Sequence, residues 1–317
     1  MTLPYLDAAL LRSLATPART VAALEAALLG GLDPELDQPR LTSPLEAGEF
    51  LLMPAQTASY AGIKVATVAP GNPAKGHPKI QGTYLLLDKS TLAPLAAMDG
   101  AELTLIRTPA ATTLAIKHLL ALRGASSAGT VAVVGTSLQA DRHIEALAQV
   151  CGIDDLVVVG RRREAAEALA GTWDGRGMAA RAGTVADLAS ADVIVCATSS
   201  ALPVFDGGLV GDAAIVAAIG SHGLDAREID PALALRSEVV VEGRASAFRE
   251  AGDLIPARSA AEWEQRGLAT LADLVAGRFA PAAGRPLLYT GVGMAWEDLV
   301  VAGSAYDVFR GAAAPVD

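Results

Sequence analysis

The sequence predicts an α/β fold, a doubly wound parallel sheet accompanied by a second, discontinuous α+β domain. Three observations carry that expectation. At 317 residues the chain exceeds one typical core, so two domains are expected. Between Thr130 and Gly243, short β-branched runs alternate with Ala-rich helical stretches. Up to residue 115 the pattern is different: a helix, then strands punctuated by Pro and Gly.

Taken in order, "LDAALLRSLATPARTVAALEAALLG" reads as one amphipathic helix. "GEFLLMPA", "YAGIKVATVAP" and "GTYLLLDKSTLAPLAAMDG" read as strands, and "DKST" between two apolar runs marks a hairpin. His77 in "GHPKIQG", with Gly76 and Gly82, reads as a loop, either mobile over a site or a plain turn. "TLIRTPAATTLAIKHLLALRG" becomes helical and feeds the sheet. Six runs follow as strands: "TVAVVG" (130–135), "DLVVVG" (155–160), "MAARAG" (178–183, the weakest), "DVIVCAT" (192–198), "AAIVAAIG" (213–220) and "SEVVVEG" (237–243). Their continuous apolar character means both faces are covered. "LQADRHIEALAQVCG", "REAAEALAGTW" and "VADLASA" have helical composition. The tail "GRPLLYTGVGMAWEDLVVAGSAYDVFRG" resumes helix after the last strand. This divides the chain into 1–118 with 286–317, and 119–285.

Composition narrows the function classes. Net charge is −10, which argues against a nucleic-acid surface, because phosphate binding needs a basic patch. No apolar run reaches the roughly 18 residues of a membrane span, and the N-terminus lacks the pattern of a signal peptide. Two cysteines, Cys151 and Cys196, exclude a disulfide framework and fit a reducing cytoplasm. No His/Cys/Asp/Glu spacing suggests a metal, and no Gly-x-Ser-x-Gly elbow suggests a hydrolase. His118 and His143 lie on helices and read as structural or solvated.

"TVAVVGTSLQADRH" has one glycine where a dinucleotide loop has two or three. In a Rossmann turn the first glycine permits the bend, the second admits the pyrophosphate and the third lets helix pack on strand. Gly135, Ser137 and Ala140 fill those places, and Ala is accepted at the third. Ser137 adds a hydroxyl where the cofactor backbone would pass. An ordinary strand–helix turn would look similar, but this one follows the first strand of a series and opens a helix with free amides for a phosphate. At the end of the second strand an NAD site places Asp or Glu. Here "VVVGRRREAAEAL" supplies Arg161, Arg162 and Arg163, which suits a 2′-phosphate and favours NADP(H), with NAD(H) still allowed. A solvated helix start would carry the same arginines.

Along nearly its whole length the chain resembles the ornithine cyclodeaminase/mu-crystallin family. The matching segments are "LLMPA" (51–55), "GIKVATVAPGNPAKG" (62–76), "LLLDKSTLAPLAAMDGAELTLIRTPAAT" (85–112), "VVGTSLQA" (133–140), "ADVIVCATSSALPVF" (191–205), "IGSHGLDAREID" (220–230) and "VGMAWEDLVVA" (292–302). The family includes cyclodeaminases, ketimine and Δ1-pyrroline-2-carboxylate reductases, amino-acid dehydrogenases and NADPH-binding crystallins. The resemblance implies a homodimer formed through the sheet domain, with substrate between that domain and the Rossmann domain. It implies that Arg40, Lys64 and Arg107 gather around the substrate carboxylate. It places the cofactor against Gly135, Thr136, Ser137, Leu138, Gln139, Arg161, Arg162, Thr198, Gly220, Val292 and Gly293. The residues agree with a carboxylate site: each of the three cations stands alone in apolar or β-like sequence of an acidic protein.

The chain also departs from the family. The resemblance would place the two carboxylates of a cyclodeaminase at Leu51 and His222, and neither is acidic. His222 could still move a proton, since imidazole titrates near neutrality. Glu228, nearby, reads as a cap or a helix charge. The expected function is therefore an NADP(H)-dependent oxidoreductase that reduces a small cyclic imino acid. Arg107 and Arg40 would hold its carboxylate, with Lys64 or His222 as proton donor. Ornithine cyclodeaminase and a non-catalytic NADPH-binding protein are the alternatives. Expected partners are a small amino or imino acid and a second copy of the chain, with no nucleic acid and no membrane.

Overall fold

The computed structural model describes residues 2–313. It divides into two compact units, Met1–Arg107 with Met294–Asp317, and Thr108–Gly293.

The first unit opens with β1 (Tyr5–Leu6), α1 (Ala8–Leu14) and α2 (Pro17–Leu29). The expected single helix is two helices. Pro17 carries no N–H and pushes the preceding residue out of the α region, and Thr16 is extended at ψ 152°. Strands β2 (Leu41–Leu45), β3 (Gly48–Gln56), β4 (Tyr60–Val68), β5 (Ile80–Asp88) and β6 (Pro94–Asp99) follow. The sheet order is β1-β6-β5-β4-β3-β2, antiparallel except for the β1–β6 pair. The "DKST" hairpin joins β5 to β6. Gly82 lies within β5, where its lack of a side chain suits the close pass of Val65 and Ala66, so it is not part of the His77 loop.

Strand alternation decides what each face of this sheet does. Met53, Gly62, Lys64, Ala66, Tyr84, Leu86, Ala96 and Met98 point inward and are buried. The C-terminal helix, Ala295–Ala313, packs on α1, α2 and strands β3 to β5. The opposite face, with Phe50, Leu52, Ile63, Val65, Leu85 and Leu87, is apolar and only half-buried.

Helix α3 (Gly100–Leu122) begins in this unit and continues into the other. The boundary falls at Arg107, just before Pro109, which offers no donor to the Leu105 carbonyl.

The second unit holds β7 (Thr130–Val134), α4 (Leu138–Val150), β8 (Asp155–Val159), α5 (Arg163–Asp174), β9 (Ala180–Gly183), β10 (Val193–Cys196) and β11 (Ile215–Ala218). Then come α6 (Pro231–Arg236), β12 (Glu238–Val241), α7 (Arg244–Glu250), α8 (Ala260–Arg266), β13 (Ala269–Thr270), α9 (Leu271–Val275) and β14 (Leu287–Thr290). All eight strands are parallel, in the order β13-β12-β14-β11-β10-β7-β8-β9. The six expected strands are β7 to β12. The sequence reading passed over β13 and β14, and β14 is central, between β12 and β11. That placement also moves the expected domain boundaries, since residues 286–293 belong with the larger sheet rather than with the C-terminal helix.

The chain runs β7, β8, β9 to one side and then returns to place β10 on the other side of β7. Parallel sheets bind ligands at such a switch point, beyond the carboxyl ends of the strands. Cys151 and Cys196 are buried and free. His143 is fully buried, with Nδ1 2.6 Å from the Gln139 carbonyl, and burial lowers its pKa to about 4, so it is a structural residue. Among the described residues, no helix is long and apolar enough to cross a membrane.

Candidate active site

Two sets of polar residues matter for function, one in each unit. In the first unit, Lys64 projects from the inward face of β4, opposite Met53 on one side and Tyr84 on the other. Its Nζ lies 2.7 Å from Asp298 Oδ2 and 3.3 Å from the Thr104 hydroxyl. Arg107 is one helical turn beyond Thr104 on α3, so the two share a face. Its Nη1 is 2.8 Å from Glu297 Oε2, and its Nε is 3.4 Å from Asp298 Oδ1. Glu297 and Asp298 occupy the first turn of the C-terminal helix, where acidic groups complement the helix dipole. Asp37 caps the same helix by accepting from the Ala295 N–H at 2.8 Å.

All four charged side chains of this network are at least nine-tenths buried, the two carboxylates completely. Two cations and two anions thus balance each other away from water. Removing one member of such a set leaves its partner uncompensated, at a cost of about 3–5 kcal/mol. Burial is the main influence on Lys64 and lowers its pKa; Arg107 and Arg40 push in the same direction and Asp298 opposes them, leaving it at about 8. The Tyr84 phenol is held well above 10 by burial and by the fields of Asp298 and Asp37.

The three cations named from sequence therefore meet in one electrostatic cluster, with Arg40 half-buried at its edge. Sequence reasoning missed their counter-charges, Glu297 and Asp298. The available signal was an acidic pair at the start of an otherwise apolar helix, "AWEDLVVAG". Leu51 lies on β3, opposite Ala66, and brings no acid to this sheet.

The second cluster lines the carboxyl edge of the eight-stranded sheet. Gly135 follows β7 at φ +133°, and a Cβ there would stand 2.5 Å from the Ala197 carbonyl oxygen. Only glycine fits both the angle and the approach. Ser137 caps α4, its hydroxyl accepting from the Ala140 N–H at 3.4 Å. The serine that replaces a loop glycine is thus occupied in starting the helix. Thr136 packs over Gly160, Leu138 is exposed, and the Gln139 carbonyl faces His143. Arg161 and Arg162 are exposed at the end of β8, and Arg162 takes the backbone position that opens α5.

Two buried glutamates hold the remaining loops. Glu228 accepts from the Thr198 N–H (2.5 Å) and hydroxyl (2.6 Å), and from the N–H groups of Ile219 (3.0 Å) and Gly220 (2.7 Å). It fastens the ends of β10 and β11 together. The expectation that Glu228 caps a helix is corrected here, because Asp230 caps α6. Burial raises Glu228 to about 7 even against these donors, and raises Asp253 beneath it to about 6. Glu242 accepts from the N–H groups of Val292 (2.9 Å) and Gly293 (2.7 Å) after β14. His222 is exposed on the loop after β11, in the unit that does not contain Lys64. Among the described residues, no group of His, Cys, Asp and Glu is placed to hold a metal ion.

A cradle in which a Cβ would strike backbone, the N-terminus of α4 and exposed arginines at the end of β8 fit a dinucleotide phosphate. Comparison with known proteins agrees. The model of the ornithine cyclodeaminase/mu-crystallin family matches residues 12–312. The chain belongs to that family. It is an enzyme of this NAD(P)-dependent group, with the group's Rossmann-like fold. One ornithine cyclodeaminase/mu-crystallin relative is the Delta(1)-pyrroline-2-carboxylate/Delta(1)-piperideine-2-carboxylate reductase of Azospirillum brasilense. It is 35% identical over 312 residues, which cover 96% of each chain. The structure of Thermococcus litoralis Delta(1)-pyrroline-2-carboxylate reductase in complex with NADH and L-proline superposes with a TM-score of 0.87 at 25% identity, over 99% of this chain and 100% of that one. An archaeal alanine dehydrogenase dimer with bound NAD gives 0.87 at 26% identity, over 99% and 98%.

Proposed function

We propose that this chain reduces a small cyclic imino acid such as Δ1-pyrroline-2-carboxylate to the amino acid, using NADPH in preference to NADH. The observation that carries the reading is the buried Lys64, with a pKa lowered to about 8 and Arg107 and Arg40 around it. Such an amine can hold a carboxylate or release a proton near neutral pH, whereas an ordinary lysine holds its proton to about 10.4. Arg107 and Arg40 grip the substrate carboxylate, and Lys64 gives its proton to the imine nitrogen. When bound, the reduced nicotinamide supplies the hydride that the imine carbon takes up. The C=N π bond is lost, and one C–H and one N–H bond form.

Cyclodeamination is disfavoured because Leu51 and His222 stand where the resemblance places its carboxylates. His222 is the reserve proton donor; its exposure makes it the weaker choice. The test is stoichiometry: one NADPH consumed for each proline formed from the imine. Ammonia from L-ornithine without net cofactor change would replace this reading with cyclodeamination.

On the cofactor side, Gly135 and the amides of Thr136, Ser137, Leu138 and Gln139 cradle the pyrophosphate, while Thr198, Gly220, Val292 and Gly293 border the nicotinamide half. Arg161 and Arg162 pair with the 2′-phosphate. Arg161→Ala should weaken NADPH about tenfold, the loss of one charge-assisted contact, and leave NADH unchanged in a fluorescence titration. Equal losses for both cofactors would remove Arg161 from that role.

The half-buried apolar face of the six-stranded sheet, lined by Phe50, Leu52, Ile63, Val65, Leu85 and Leu87, is suited to a second copy of the chain. The dimeric archaeal alanine dehydrogenase relative supports a homodimer.

A further inference from the structure

Beside β3, which sets the apolar Met53 opposite Lys64, four other elements bring charge or polarity to it. β5 brings Tyr84 opposite it, α3 brings Thr104 and Arg107, the segment before β2 brings Arg40, and the C-terminal helix brings Glu297 and Asp298. The two acids are adjacent in sequence, and successive helical residues diverge by about 100°. They therefore separate onto different cations, Glu297 onto Arg107 Nη1 at 2.8 Å and Asp298 onto Lys64 Nζ at 2.7 Å. Only Asp298 reaches both, since its second oxygen lies 3.4 Å from Arg107 Nε.

We propose that Asp298 is the positioning residue of the reduction, its carboxylate keeping the buried Lys64 amine charged and fixed as the proton donor. The proposal rests on the reductase reading for the donor's task, but the pairing itself does not. Burial strips water from the ammonium, and Arg107 and Arg40 repel it. Asp298 opposes all three through its charge and its hydrogen bond. With that carboxylate neutralised, burial and two guanidiniums act on Lys64 without the opposing charge, and the amine loses its proton at working pH. A neutral amine can neither protonate an imine nor attract a carboxylate. Glu297 cannot substitute, because it is committed to Arg107.

Lys64 donates only while protonated, so wild-type kcat/KM for the imine falls as pH rises through about 8. In Asp298→Asn that fall moves at least one pH unit lower. The deficit relative to wild type is then about fivefold or more at pH 8, approaches tenfold or more at higher pH, and shrinks toward pH 6. Glu297→Gln is expected to leave the position of the fall unchanged. A deficit in Asp298→Asn that is the same at every pH would mean a merely structural role and overturn the proposal. If the asparagine variant does not fold, Asp298→Glu keeps the charge and should keep the fall near 8 while lowering kcat; a fall displaced by a full unit would overturn it. An NMR titration of the Lys64 amine in the unliganded protein needs no substrate. A lower midpoint in Asp298→Asn supports the proposal, and an unchanged one overturns it. If wild type reduces no imine, the reductase reading fails, and this titration still decides the role of Asp298.

Discussion

Arg107→Ala is expected to raise KM for the imino acid about 100-fold while leaving KM for NADPH within a factor of two or so. Two charge-assisted hydrogen bonds from one guanidinium to a carboxylate are together worth about 3 kcal/mol, and 1.4 kcal/mol is a tenfold change. The site is buried, so water cannot substitute for the missing donors. The variant also leaves Glu297 without its 2.8 Å partner and should lower the melting temperature. Arg107→Lys separates the two effects: it retains a charge near Glu297 but loses the fork, so stability recovers further than KM does. An unchanged KM in Arg107→Ala would remove this arginine from the substrate site.

The second large effect is expected at Glu228. Its two oxygens satisfy four donors from the ends of β10 and β11, and its side chain is buried. Glu228→Ala leaves all four donors unsatisfied, at about 1–3 kcal/mol each, which is comparable with the whole stability of a domain. Glu228→Gln is gentler: one end becomes a donor and faces two donors. The glutamine variant should melt several degrees lower and bind NADPH at least tenfold more weakly, read by thermal denaturation and nicotinamide fluorescence. Wild-type cofactor affinity in a folded glutamine variant would show that the clamp on Thr198 and Gly220 does not shape the cofactor site.

The parts legible in the sequence were those written locally. Continuous β-branched runs announced β7, β8, β10, β11 and β12, because a strand covered on both faces needs no polar alternation. Gly135 announced its turn, since a positive φ and a close carbonyl leave no room for a side chain. Lys64 and Arg107 stood out as lone cations in apolar sequence.

What escaped was decided at long range. The run "LLYT" is too short to distinguish from the start of a helix, and only pairing with β11 and β12 makes it a central strand. Glu297 looks like an ordinary first-turn acid until Arg107, 190 positions away, is placed against it. Glu228 looks like a helix cap for the same reason, since its partners lie on the ends of two separate strands. The break at Pro17 is different: the proline was present in the sequence, and the amphipathic pattern on both sides concealed it.

Imine reduction is tested by following nicotinamide absorbance at 340 nm with Δ1-pyrroline-2-carboxylate, NADPH and NADH in turn, beside an ammonia assay with L-ornithine. The expected result is loss of absorbance with the imine, faster with NADPH, and no ammonia from ornithine. Ammonia released without net cofactor change, and no oxidation with the imine, would contradict it.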